Sequence, residues 1–197
     1  PNNLLESGKE GTTVVLIEKD HPGLKQLTHH NPLDVGFPNG TLKGQLQIPL
    51  DYIIGGEKNA GHGWKMLMEC LAAGRGICLP ATANACSKVS TLGILQYSKH
   101  RKQFKLPLIE MEGVQDKLVE MIYNTWLIQT SVELTNTLLD SGEKPAVISA
   151  IMKQQTTDRA REVLNCGMDV HAGGAICLGK NNFLEKFYKS APIGITV

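Results

Sequence analysis

Near the start of the chain, apolar and polar residues alternate, a pattern typical of a half-buried strand. The alternating apolar set is Leu42, Gly44, Leu46, Ile48 and Leu50. The β-branched run 12–18 predicts another strand, which ends at the turn-forming sequence 20–23. Because two or three strands are marginally stable alone, we expect residues 1–57 to be the end of a larger β-domain.

From residue 58 onward the apolar positions follow a helical period. Their spacing alternates between four and three residues, which predicts a helix of about 26 residues, roughly 39 Å long. This seam consists of Val114, Leu118, Met121, Thr125, Ile128, Val132, Thr135 and Leu139. The sequence Asp140-Ser141-Gly142 predicts its end, and Pro145 suits the first turn of the following helix.

Three further helices are predicted around the seam. The one before it, about 63–100, is rich in glycine and alanine, which permits close helix packing, and Pro80 should kink or break it. The one after it ends near Gly167, and a short helix covers about 182–189. The apolar residues of the helix that follows the seam are Val147, Ile151, Ala160, Val163 and Leu164. The predicted fold class is therefore mainly α: the last strands of a β-domain (1–57), then an incomplete helical bundle (58–197).

Composition excludes several classes of function. Among 197 residues, 20 Lys and Arg oppose 19 Asp and Glu, which does not favour a nucleic-acid-binding surface. A run of 18 apolar residues and a secretory signal are both absent from the sequence. The five cysteines form an odd set without C-x-x-C, which favours reduced thiols and a cytoplasmic protein. A first residue that is not methionine, Pro1, suggests a fragment.

Two common motifs are rejected on their details. The sequence Gly61-His62-Gly63 resembles the start of a dinucleotide fingerprint, but Met66 occupies the third glycine position. His29 and His30 are adjacent, without a nearby carboxylate or cysteine partner, so we predict no metal site.

A cluster of donors follows the glycine-rich helix. Arg101 and Gln103 could grip phosphate oxygens, Phe104 could supply a flat apolar wall, and Gln115 adds an amide. The structural alternative is an ordinary basic helix end, which the helix dipole favours without any ligand. A diphosphate is the ligand that this donor set suits.

Two other positions have both a structural and a functional interpretation. Arg75 is surrounded by small residues, so it either extends to solvent or meets an anion in a crevice. It is 26 positions before Arg101, roughly 39 Å along one continuous helix, so the two cannot share one phosphate unless the helix breaks. Gly173 either belongs to a plain helix C-cap or lets the backbone approach a ligand.

In order and spacing, these segments resemble the acyl-CoA dehydrogenase family. The ordered motifs are Gly61-x-Gly63, Gly74-Arg75, Arg101-x-Gln103-Phe104-x-x-Pro107-Leu108, Val114-Gln115 and the late glycine pair. Segments 30–35, 48–56 and 74–77 look most like the bacterial long-chain enzymes of fatty-acid β-oxidation.

The resemblance implies a flavoenzyme that forms a Cα–Cβ double bond in a fatty acyl-CoA. A glutamate would take the α-proton, FAD would accept the β-hydride, and electron-transferring flavoprotein would reoxidise the flavin. Arg101, Gln103, Phe104, Gln115 and Gly173 would contact the FAD of a neighbouring subunit in a homodimer or homotetramer. Arg75 would support the acyl-CoA side. Peripheral attachment to the inner membrane through other segments stays open.

Several residues depart from the family's pattern. Lys105 replaces a glycine, Glu112 replaces a glutamine, and Asp169 replaces a glutamine that would meet the diphosphate. A carboxylate there would repel phosphate, so we expect Asp169 to pair with a basic group instead. The catalytic glutamate is expected just beyond Val197, so we name no catalytic residue and expect this chain alone to be inactive.

The absent base leaves a second hypothesis open. The chain could be a helical oligomerisation module without flavin, in which the seam forms subunit contacts. A seam buried inside one subunit's own bundle is the structural alternative to that role.

Overall fold

The computed structural model describes residues 10–143 and 146–196. These fall into two compact units, one formed by residues up to 32 together with 36–71, the other by 33–35 and 72 onward. Pro1, Pro145 and Val197, which figured in the sequence predictions, lie outside the described residues. In the part of the chain described, no helix is long and apolar enough to cross a membrane.

The first unit contains less strand than the alternation predicts. Strands β1 (Leu24–Gln26) and β2 (Leu42–Gly44) form an antiparallel pair in which Lys25 faces Lys43. The predicted strand 12–18 makes only single bridges, including Val15 with the buried Ile53. The predicted strand from Leu42 to Leu50 ends at Gly44, with Leu42 60% exposed. Within the described residues no third strand joins this pair, so the alternating apolar residues do not form a buried face.

The predicted helix 63–100 is interrupted just before Pro80. Helix α1 spans Gly63–Ala73, a π-helical turn spans Gly74–Cys78, and helix α2 spans Leu79–His100. Pro80 sits in the first turn of α2, where proline is tolerated because its missing N–H would have no helical partner. The expected break is therefore present, as a π-turn that lies just before the proline.

The second unit is a bundle of long helices. Helix α3 spans Glu112–Asp140, α4 spans Ala146–His171, the short α5 spans Gly173–Ile176, and α6 spans Glu185–Thr196. A small hairpin of β3 (Lys102–Gln103) and β4 (Leu106–Pro107) joins α2 to α3 through a 3-10 turn at Leu108–Glu110. The mainly α fold class is confirmed.

Side-chain bonds between helices show how the bundle is threaded. Thr91 of α2 bonds Thr125 of α3 at 2.8 Å, while Asn84 bonds Gln129 at 2.6 Å, so α2 and α3 are antiparallel. Helices α3 and α4 are also antiparallel, since Arg159 donates to Asn124 at 2.8 Å and Asp169 pairs with Lys117. Helices α2 and α4 therefore run in the same direction.

The bundle core lies between α2, α3, α4 and the segment leading into α6. Its most buried members are Ile94, Met121, Val163, Leu164 and Leu184. Two predicted apolar positions of α4 are not in it, because Val147 is 73% and Ile151 55% exposed, and Met152 is buried instead. The helix also continues past Gly167, where a side chain would meet Met121.

Candidate functional site

The hairpin after α2 presents the donor cluster. The Arg101 N–H donates to the carbonyl oxygen of Tyr97 at 2.8 Å, which ends α2, and the Arg101 carbonyl accepts from the N–H of Leu108 at 2.9 Å. These bonds fix both ends of the hairpin. Phe104 and Lys105 form its two-residue turn with φ of 50° and 70°, as a type I′ turn requires.

Phe104 is the most exposed large apolar side chain of this hairpin, at 90%. The Gln103 amide donates to the carbonyl of Lys102 at 2.9 Å, and Arg101 is exposed without an ion pair among the described residues. The hairpin thus combines a guanidinium, an amide and an aromatic ring on a surface that this chain leaves open.

Gln115 lies in the first turn of α3, next to the hairpin. Its Nε2 donates to the carbonyl of Ile109 at 2.9 Å, which ties the start of α3 to the 3-10 turn. Gln115 is an exposed residue. Gln115 therefore stands at the same end of the bundle as Arg101.

The end of α4 completes this region. Ala172 leaves the helix with φ of 54°, and Gly173 begins α5. A side chain on Gly173 would meet nothing within 4 Å, whereas one on Gly174 would lie 2.5 Å from the His171 ring. Close packing therefore requires glycine at position 174. We call the end that carries the hairpin, the start of α3 and the α4–α5 corner the hairpin end.

His171 is a buried residue of the hairpin end that the sequence analysis missed. Its ring stacks on Tyr97 at 4.5 Å and lies 5.3 Å from Phe183, measured between ring centroids. The ring Nδ1 is buried and has no hydrogen-bond partner in the described residues. Since a single histidine next to a glycine pair has no distinctive spacing, the sequence offered no signal for it.

Asp169 pairs with a basic group, as the sequence predicts. The Lys117 Nζ lies 2.9 Å from Asp169 Oδ2, which links the start of α3 to the last turns of α4. The hydrogen bond to Asp169 is the main cause that raises the pKa of Lys117. The carboxylate at the hairpin end is therefore neutralised by a cation of the same chain.

Arg75 lies at the opposite end of α2 from these residues. It is exposed on the π-helical turn, where Gly76 packs so closely on α4 that a side chain would lie 2.6 Å from Ser149 Oγ. Because the full length of α2 lies between Arg75 and Arg101, the two arginines lie at opposite ends of this helix. π-helical turns occur often at functional sites.

Comparisons with known proteins agree with this architecture. The family model of the acyl-CoA dehydrogenase C-terminal domain matches residues 61–194. Protein HemX of Proteus mirabilis is 43% identical over 94 residues, covering 47% of this chain and 55% of HemX. Acryloyl-CoA reductase (NADH) of Anaerotignum propionicum is 26% identical over 193 residues, covering 95% of this chain and 47% of the reductase.

A solved structure shares the fold. Butyryl-CoA dehydrogenase of Megasphaera elsdenii superposes with a TM-score of 0.80 at 23% identity, covering 95% of this chain and 48% of that protein. The chain spans about half the length of the relatives it matches. With the family match across its second unit, the chain belongs to the acyl-CoA dehydrogenase family.

The family binds FAD, and the hairpin end suits that cofactor. Arg101 and the amides of Gln103 and Gln115 are donors of the kind that phosphate oxygens accept, and Phe104 is an exposed ring suited to stacking. In the described residues no group of three or more metal-ligating side chains occurs.

Proposed function

We propose that this chain serves an FAD-dependent acyl-CoA dehydrogenase, in which the hairpin end binds the diphosphate and nucleotide portion of the cofactor. The observation that carries this proposal is Phe104, 90% exposed on a fixed hairpin between Arg101 and Lys105. An exposed aromatic ring beside exposed hydrogen-bond donors offers a stacking surface that a ligand can cover. Arg101 and Gln103 beside it select a phosphate-bearing one.

FAD would supply the hydride acceptor for forming a Cα–Cβ double bond in a fatty acyl-CoA, and this chain's residues hold it. Arg101, Gln103 and Gln115 would bind the diphosphate, and Gly173 would allow the backbone to approach it. Arg75, at the far end of α2, would support the acyl-CoA side. We propose no catalytic residue from this chain.

Titration of the full-length apoprotein with FAD tests the proposal. We expect Phe104→Ala and Arg101→Met each to weaken FAD binding about tenfold or more, since each removes a direct contact. Thermal stability should change little because both side chains are exposed. Leu92→Ala and Arg161→Met are matched controls, exposed on the middle of α2 and α4. Unchanged affinity in both test variants would contradict the proposed site.

The acyl substrate and the electron acceptor belong to the same proposal. We propose a fatty acyl-CoA of β-oxidation, with electron-transferring flavoprotein as acceptor, as the sequence resemblance implies. Relatives are named for acryloyl-CoA and butyryl-CoA, so the acyl length needs its own measurement. Bleaching of the bound flavin by butyryl-CoA, octanoyl-CoA and palmitoyl-CoA would rank them. Failure of all three acyl-CoAs to bleach the bound flavin would contradict the proposed substrate class.

The seam does not support the flavin-free oligomerisation module. Ile128 and Val132 of the seam are 1% and 8% exposed, packed inside the chain's own bundle. The seam is thus part of the core of one subunit, as the structural alternative predicted. We propose a homodimer or homotetramer built through other surfaces. A stable oligomer that binds no FAD under any condition would restore the module hypothesis.

A further inference from the structure

The hairpin end has an electrostatic difficulty for an anionic ligand. Helices α2 and α4 both end there, and helix C-termini carry negative partial charge. Helix α2 offsets this with Lys99 and Arg101, whereas the last turns of α4 carry the carboxylate of Asp169, four residues before Gly173, together with the buried His171. A diphosphate beside Gly173 would meet the negative end of α4 and this carboxylate together.

Lys117 is the cation that meets this carboxylate. Its Nζ lies 2.9 Å from Asp169 Oδ2, and the two side chains are 46% and 61% exposed. The hydrogen bond to Asp169 is the largest cause of the raised pKa of Lys117, and the charge of Glu162 adds a smaller effect in the same direction. Exposed ion pairs of this kind contribute little to folding. The main effect of this pair is therefore local, since it offsets the charge of Asp169.

We propose that Lys117 is a positioning residue that masks the Asp169 carboxylate, so that the hairpin end accepts the diphosphate of FAD. The proposal rests on the proposed function, since it takes the hairpin end as the cofactor site. Lys117 acts through Asp169 and makes no contact of its own with the ligand. Its loss should matter only while the carboxylate is present.

A double-mutant cycle on FAD affinity tests this dependence in the full-length apoprotein. Lys117→Met leaves the Asp169 carboxylate without its cation and should weaken FAD binding about tenfold. The carboxylate would then repel the diphosphate, with the repulsion partly screened by solvent and salt. Asp169→Asn alone should leave affinity within about twofold. Lys117→Met added to Asp169→Asn should recover affinity to within about threefold of wild type, because no carboxylate remains to be masked.

Two further measurements separate masking from other roles. Lys65→Met removes another exposed lysine with a carboxylate neighbour, Glu69 at 4.0 Å, and should not change FAD affinity. Titration with ADP should give the same ratio between wild type and Lys117→Met as FAD does, because ADP carries the diphosphate without the flavin. The melting temperature of Lys117→Met should match wild type, since the pair is exposed.

Each outcome decides the proposal. An equal loss from Lys117→Met in both backgrounds would show that the lysine touches the ligand directly. No loss in either background would reduce the pair to a surface ion pair. Both results overturn the masking role while leaving the FAD site intact. Wild-type protein that binds neither FAD nor ADP would instead overturn the proposed function, and the masking role with it.

Discussion

Lys105 departs from a family's sequence pattern at a position whose backbone conformation favours glycine. The resemblance places a glycine at this position, and the φ of 70° explains why glycine suits it. The hairpin keeps this left-handed conformation because Arg101 and Leu108 close it with a 2.9 Å hydrogen bond. The departure therefore adds a cation at the hairpin tip at a modest conformational cost.

Gly76 and Gly74 make a matched pair for a stability prediction. A methyl group on Gly76 would lie 2.6 Å from Ser149 Oγ and 3.0 Å from Ser149 Cβ, whereas one on Gly74 would meet nothing within 4 Å. We expect Gly76→Ala to lower the free energy of unfolding by about 1–3 kcal/mol through overpacking. Gly74→Ala should be neutral or stabilise by up to about 1 kcal/mol.

Urea unfolding followed by circular dichroism measures both changes. Equal effects of the two substitutions would mean that the π-turn does not pack on α4 as closely as the structure shows.

Cys86 predicts a loss of stability in alkaline solution. Burial raises the pKa of its thiol from 9.0 to about 11. The stability that the protonated Cys86 thiol gives the folded state is complete below pH 9, where the thiol is protonated in the folded and unfolded proteins. This stability is lost as the pH rises from 9 to 11. Between pH 8 and pH 11, wild type should lose about 1–2 kcal/mol more than Cys86→Ala.

Unfolding free energies of both proteins at several pH values would show this difference. Parallel curves for the two proteins would indicate that the Cys86 thiol already ionises near its usual pKa in the folded state.

Among the elements, α3 was the one that the sequence predicted best. The seam from Val114 to Leu139 and the observed helix Glu112–Asp140 nearly coincide, since four-three spacing and a terminal glycine are strong local signals. The φ of 88° at Gly142 agrees with its predicted role in ending the helix. Long helices can be predicted because many of their residues follow the same period.

A pair of isoleucines tests the burial of the seam. Ile128 in α3 is 1% exposed and Ile151 in α4 is 55% exposed. We expect Ile128→Ala to lower the unfolding free energy by about 2–5 kcal/mol, because it leaves a cavity in the core. Ile151→Ala should stay within about 0.5 kcal/mol of wild type. Thermal and denaturant unfolding would compare them, and a larger cost at Ile151 would contradict the packing of α4.

Other elements depend on tertiary contacts that have no signal in the local sequence. The alternation from Leu42 to Leu50 predicts a half-buried strand, but a face is buried only if another layer covers it. The π-turn at Gly74–Cys78 changes the period for five residues only, too few to register in a helical pattern. The stacking of His171 on Tyr97 joins residues 74 positions apart and has no local signal.

At the scale of the whole molecule, α3 has a second apolar face that points away from the seam. Val119, Ile122, Tyr123 and Trp126 recur at helical spacing and are 47–65% exposed. Exposed apolar surface of this extent is typical of association sites. Under the proposed homo-oligomer, this face is a subunit contact.

We therefore expect Trp126→Glu to weaken self-association, because it places a charge among apolar side chains. Sedimentation velocity across a range of protein concentrations would show a shift toward smaller species. Leu92→Glu, an equally exposed apolar position on α2, is the control and should leave the distribution unchanged. Wild-type behaviour of Trp126→Glu would place the subunit contact on another surface.

The open hairpin wall around Phe104 has a consequence for how cofactor and protein concentrations act together. If one subunit completes the cofactor site of another, then association and cofactor binding are linked equilibria, and each must strengthen the other by the same factor. Dilution would release flavin even at constant free FAD, and added FAD would raise the melting temperature more at low subunit concentration. Cofactor content would then report the assembly state of the protein.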